Sequence, residues 1–215
     1  MNRAPRIWDI SEPIEEQTAT FPGDTAFARR WVARMEQGAS CNVSTITMSV
    51  HVGTHTDAPV HFDVAGADIA TVDLRRYLGR CRVVDVQGEG DPPLIPAAAI
   101  TPDLLAGAER ILFRTKLRHD HRVFDQRFTA VGPAAAAVLV AAGIVLVGID
   151  TPSIDHATSK DLDGHHVLYR GGTALLENID LSGVPAGDYE LIALPLRIVG
   201  GDSSPVRAIL RELRP

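Results

Sequence analysis

The sequence predicts an α/β domain, and three observations carry that expectation. Short runs of β-branched and apolar residues recur at 81–86, 111–115, 144–149 and 189–194, as strands buried in a sheet do. Helix-start and helix-stop chemistry lies between them, so strands and helices alternate from residue 95 to 150. The chain has 215 residues, enough for one substantial core and too few to argue for several, so a single domain spanning 1–215 is expected.

The elements follow in order. Phe21-Pro22-Gly23-Asp24 is a turn by its Pro-Gly pair. Residues 44–50 alternate as a strand and run into a histidine-rich loop. Cys81 to Val86 (CRVVDV) is a strand by its β-branched content, and residues 88–93 form a loop. Thr101 is an N-cap with Pro102 at the first helical position, which starts a helix over 103–108. Residues 117–129 are polar and charged. The His119-Asp120-His121 triplet there has metal-ligand character, although a solvated loop is the favoured reading. An alanine-rich helix over 133–142 is closed by Gly143. The strand at 144–149 delivers Asp150, followed by Thr151-Pro152-Ser153, to a structural turn or to a site edge.

Chemistry concentrates in HVGTHTDAPVH, where His51, His55, Asp57 and His61 fall within eleven residues. On a helix, Asp57 would point away from His51 and His55. On a strand all four odd-numbered positions share one side. A straight strand would still hold His51 and His61 roughly 33 Å apart, so the chain must fold back. Gly53 and the Ala58-Pro59 pair sit where such bends cost least. Three imidazoles and a carboxylate gathered at one point form a metal or proton-transfer site. The helical H-E-x-x-H zinc motif is absent, because no Glu follows His51 and a glycine occupies the middle.

Composition narrows the function classes. Hydrophobic content of 45% with 22% charged residues is ordinary for a globular chain. A net charge of −6 gives no electrostatic footprint for nucleic acid or for an anionic membrane, so neither is an expected partner. No apolar stretch approaches a transmembrane span and no secretory signal is readable. Cys41 and Cys81 lack a C-x-x-C spacing and are expected as buried free thiols in a reducing cytoplasm. No phosphate-binding loop and no G-x-S-x-G elbow occurs.

A second group of ligand-type residues, His165, His166 and Glu177, lies in DGHHVLYRGGTALLEN. Gly164 before the pair and Gly171-Gly172 after it suit a loop that returns towards Glu177. The histidines are equally open to being a surface pair. Glu177 follows Ala174-Leu175-Leu176, an apolar stretch that would bury it, where an unpartnered carboxylate is costly.

HVGTHTDAPVHF resembles the H-x-G-x-H-x-D-x-P-x-H motif of the metal-dependent cyclase-like hydrolases, most closely the bacterial arylformamidase branch of that family. The similarity extends through WDIS at 8–11, FPGDT at 21–25, NVSTITMS at 42–49, IDTPSID at 149–155 and SKDLDGHH at 159–166. It continues through LLEN at 175–178, GDYELIALPL at 187–196 and SPVRAIL at 204–210, and is weak over 87–130. The resemblance implies a mixed, barrel-like sheet with flanking helices and a homodimer. It implies two divalent ions, with His51, His55 and Asp57 on one and Asp57, His165 and Glu177 on the other. Asp57 bridges them in that scheme, Glu177 is placed to reach both, and His61 is the acid/base residue. Zinc suits such nitrogen and oxygen ligands, with manganese the alternative.

The implied reaction is hydrolysis of N-formyl-L-kynurenine to L-kynurenine and formate. Such enzymes mostly carry Trp-Pro-Gly-Asp where this chain has Phe21, an aromatic implicated in holding the substrate. A related cyclic amide or imide hydrolase, such as an isatin hydrolase, is the alternative enzyme. A non-catalytic binding module with a structural metal is the alternative from another class.

Overall fold

The computed structural model describes residues 3–116 and 120–213. Along the described chain run β1 (Ile7–Asp9), β2 (Ala28–Ala33), β3 (Val43–Thr47), β4 (His55–Asp57), β5 (Leu78–Asp85) and β6 (Arg110–Arg114). They are followed by β7 (Leu146–Ile149), β8 (Ala174–Leu176), β9 (Gly187–Ile192), β10 (Ser203–Pro205) and β11 (Ile209–Glu212). Three helices punctuate them: α1 (Pro102–Leu105), α2 (Gly132–Ala141) and α3 (Asp163–Arg170).

One mixed sheet takes seven of these strands in the order β1-β11-β9-β5-β6-β7-β8. The steps from β5 to β8 are parallel and the others antiparallel. Parallel neighbours need a crossover, and α1, α2 and α3 lie in the three successive connections. The two edges of the sheet meet. Just beyond β1, Ser11 bridges Ile179 just beyond β8, and the Asp180 N–H donates to the Ile10 carbonyl at 2.9 Å. The sheet therefore curls into the barrel-like form that the family resemblance implied.

Alternation along the buried strands sorts their side chains between two cores. Leu112, Leu146 and Leu176 fill the inside of the curl with Tyr77, Leu191 and Leu210. Ile111, Phe113, Val147, Ile149 and Leu175 face the other way, against Ala135, Ala136 and Leu139 of α2 and Leu168 of α3. Both faces are covered, which is why these strands read as continuous apolar runs. The two helices approach closely at Gly171, where an added Cβ would fall 2.4 Å from Val140 Cγ2.

Several local expectations are corrected. Thr101 does cap α1, accepting from the Leu104 N–H at 3.3 Å, but the helix ends at Leu105 and not at 108. Its backbone turns away at Ala106 to feed β6. The strand expected over 44–50 is β3, which pairs with β2 in a separate ribbon and stops before the histidine loop. The segment holding His165 and His166 is the helix α3 and not a loop, since its residues sustain amphipathic helical spacing up to the Gly171 cap. Cys81 is a buried free thiol as expected, whereas Cys41 is exposed, in the turn entering β3. The alanine-rich helix runs as read, with Gly143 in the left-handed region at φ 75° just past its end. No helix among the described residues is long and apolar enough to cross a membrane.

Candidate metal centre

β4 supplies His55 and Asp57, two residues apart and therefore on one side of the strand. The chain reaches β4 through Gly53, whose φ of 67° admits the sharp turn that carries His51 alongside. It leaves through a single 3₁₀ turn, Pro59–His61, with Pro59 fixing its first position. The fold-back demanded by the sequence spacing is thus made on both sides of β4. Glu177 follows β8 directly and pairs with His55 through two backbone hydrogen bonds of 3.0 and 3.2 Å. His165 projects from the first turn of α3.

The side chains converge. His55 Nε2 lies 3.2 Å from Glu177 Oε2 and 3.7 Å from Asp57 Oδ1. His51 Nδ1 lies 3.1 Å from the same Asp57 oxygen, and His165 Nε2 lies 3.2 Å from Glu177 Oε1. Two groups have ligand atoms within 4.8 Å of one another: His51, Asp57 and His61, and His55, Asp57 and Glu177. Asp57 belongs to both. Proximity thus sets His61 beside His51, and His55 closer to Glu177 than to Asp57, because the backbone pairing of β4 with Glu177 draws those two side chains together.

Burial makes these contacts consequential. His55, Asp57, His165 and Glu177 are buried, whereas His61 is exposed. Asp57 Oδ1 accepts no hydrogen bond among the described residues, although His51 Nδ1 stands at ion-pair distance. A buried carboxylate oxygen surrounded by imidazole nitrogens, without a donated proton, is an electron-rich point that a cation satisfies. The residues present therefore fit a bound metal.

The charges press on one another. Burial of the His51 ring works against its charge, but the neighbouring Asp57 and Asp202 carboxylates prevail and push its pKa up to about 9. Burial opposes charge on His165 too, and Asp155 and Glu177 raise its pKa to about 10. Burial would raise the Glu177 carboxyl, yet His165 and His55 hold it well below the usual range.

Two carboxylates that the sequence did not single out support these histidines. Asp155 Oδ2 accepts from His165 Nδ1 at 2.7 Å, and its two oxygens accept the Gly164 and His165 backbone N–H groups, each at 3.0 Å. Asp155 thus caps α3 and fixes the His165 ring together. Gly164 makes room, since a Cβ there would sit 2.8 Å from Asp155 Oδ1. Asp202 Oδ2 lies 3.0 Å from His51 Nε2 and 3.5 Å from His61 Nδ1. The IDTPSID stretch contains Asp155, but nothing in its spacing pairs it with His165. Asp202 enters only because β10 pairs with β4. Asp150 takes the structural role, its carboxylate accepting from the Thr115 and Lys116 N–H groups at 2.9 and 3.0 Å.

These side chains open into a cavity of about 470 Å³, the size of a small-molecule site. His51, His55, Asp57, His61, His165 and Glu177 line it, and so does Phe21. Phe21 packs edge-to-face on Phe124 with ring centroids 5.4 Å apart, and Phe128 also lines the wall. His166 is not among the lining residues; its ring stands 6.3 Å from Phe62. Of the H-D-H triplet, His119 lies outside the described residues, and His121 is bonded to Glu15 at 2.8 Å.

Residues 8–156, most of the chain, match the model of the Cyclase family. The chain belongs to that family. Among curated Cyclase relatives, the kynurenine formamidase of Delftia acidovorans is 48% identical over 208 residues, covering 97% of this chain and 98% of the relative. That of Polaromonas naphthalenivorans is also 48% identical, covering 98% and 93%. A solved structure described as a predicted metal-dependent hydrolase from Bacillus stearothermophilus superposes with a TM-score of 0.81 at 29% identity, covering 98% of this chain and all of that one. Isatin hydrolase A from Labrenzia aggregata, at 22% identity and a TM-score of 0.75, covering 98% and 94%, shares the fold.

Proposed function

We propose that this chain is a metal-dependent arylformamidase that hydrolyses N-formyl-L-kynurenine to L-kynurenine and formate. The observation that carries this reading is the placement of Asp57. Its buried, undonated oxygen is flanked by three imidazoles and Glu177 in a cavity whose lining includes Phe21, Phe124 and Phe128. Kinship with the kynurenine formamidases supplies the substrate class.

In this reading, His51, His55 and Asp57 hold one divalent ion, and Asp57, His165 and Glu177 hold a second. Zinc is proposed for both, with manganese the alternative that an all-nitrogen and oxygen set also suits. When bound, such ions polarise the formyl oxygen and bring the pKa of water down to about 7. The chain's own residues do the rest. His61, exposed on the cavity side of His51, delivers a proton to the departing aniline nitrogen, and Asp202 beside its Nδ1 orients the ring. Asp155 keeps the His165 Nε2 turned towards Glu177. Phe21 and Phe124 offer the aryl group an apolar wall.

We further propose a homodimer, favoured by the exposed apolar ribbon, where Val32 is 58% and Ile46 54% exposed. A cytoplasmic setting is proposed on the two free thiols. The decisive assay compares turnover of N-formylkynurenine and of isatin by metal-loaded protein. Preferred hydrolysis of the formamide is expected, and a kcat/KM that favours isatin would overturn the reading.

A further inference from the structure

We infer that the Lys116 ammonium receives the carboxylate of the substrate's amino-acid arm. The inference rests on the formamidase reading and deepens it, because an aryl formamide with such an arm enters the cavity as an anion at one end.

The cavity is hostile to that anion. Away from the proposed metal-holding side chains, Asp24, Asp120 and Asp125 line it, so a carboxylate entering at that end without a cationic partner meets repulsion. Two permanent cations, Lys116 and Arg127, stand among the described lining residues. Arg127 is already engaged, its Nη2 lying 3.1 Å from Asp91 Oδ1 with both side chains largely exposed. Lys116 forms no ion pair among the described residues.

Its base is also held in place. Thr115 and Lys116 donate their backbone N–H groups to Asp150 Oδ2, and Thr115 Oγ1 donates to Asp150 Oδ1 at 2.6 Å. Lys116 therefore leaves the end of β6 from a fixed, half-buried backbone. A lysine so anchored, with no ion-pair partner among the described residues, gains a charge-assisted hydrogen bond when the ligand arrives.

The test uses metal-loaded protein and two formamides: N-formylkynurenine, and the corresponding 2-formamidoacetophenone from which the amino-acid arm is removed. The readout is the ratio of their kcat/KM values, with melting temperatures confirming that each variant is folded. Lys116→Met should lower the ratio roughly 10- to 100-fold, chiefly through KM for formylkynurenine. Lys116→Arg should recover most of it, and Arg127→Met should move it little. An unchanged ratio in Lys116→Met, or a loss that falls on Arg127→Met instead, overturns the inference and leaves the formamidase reading standing. Failure of the wild-type protein to hydrolyse either formamide overturns both.

Discussion

Asp155 holds His165: its carboxylate accepts from the ring Nδ1 at 2.7 Å, which leaves Nε2 facing Glu177 Oε1 at 3.2 Å. The same carboxylate caps the helix that carries His165, so ring orientation and helix start depend on one side chain. Asp155→Asn should lower metal affinity roughly 10- to 100-fold while the fold survives. Titration of the metal-free variant against a competing chelator measures this. Gly164→Ala should act alike, because its Cβ pushes against Asp155. Wild-type affinity in both variants would remove Asp155 from the site.

The dinuclear proposal predicts close to two divalent ions per chain by elemental analysis of protein purified without chelator. Asp57→Ala should abolish binding of both, since Asp57 belongs to both ligand groups. His165→Ala should mainly affect one. A stoichiometry that stays at one or below under metal-replete conditions sinks the model. Chelation should abolish activity, and added zinc or manganese should restore it.

His61 stands within ligand distance of His51 and Asp57, yet it is exposed where the other members of the two groups are buried or half-buried. As the proton carrier it predicts that His61→Asn lowers kcat by about 10²- to 10⁴-fold with metal content unchanged. Parallel loss of metal and activity would instead identify His61 as a ligand.

Phe21 is 42% exposed and rests on Phe124, as a wall residue should. Phe21→Ala should raise KM more than it lowers kcat, because an apolar wall stabilises ground state and transition state alike. Phe21→Trp should be tolerated. Unaltered KM values for every aryl amide tried would show that the residue does not bind substrate.

The two thiols should react differently. Burial pushes the Cys81 thiol up to about 12 from its ordinary 9.0, whereas Cys41 is exposed. Alkylation of native protein at pH 8 should label one thiol, and alkylation after denaturation two. Cys81 ionises more readily unfolded than folded, so its contribution to stability declines as pH rises above about 9. Two labels on native protein would contradict its burial.

The strands at 111–115 and 144–149 were legible because both faces of the sheet are covered there, leaving apolar runs, and those at 81–86 and 189–194 because buried apolar residues alternate with more exposed ones. His55 and Asp57 were legible as a pair because the two-residue strand period needs no partner to place them together. The Thr101 cap and the Gly143 stop were also local chemistry. The length of α1 and the helical state of His165 were not, since both depend on where the chain must go next and on what it packs against.

The sequence by itself determined which metal-binding side-chain types this protein has, that His55 and Asp57 share one face, and that the chain must bend on either side of them. Only the tertiary structure decided that Asp57 stands with His51 and His61 on one side and with His55 and Glu177 on the other, that Glu177 lies against His55, and that Asp155 and Asp202 hold the rings. The physical reason is the reach of each constraint. Side-chain alternation and capping act over a few residues, whereas the meeting of β4 with Glu177 and with β10 comes from the curl of a sheet whose strands are distant in sequence.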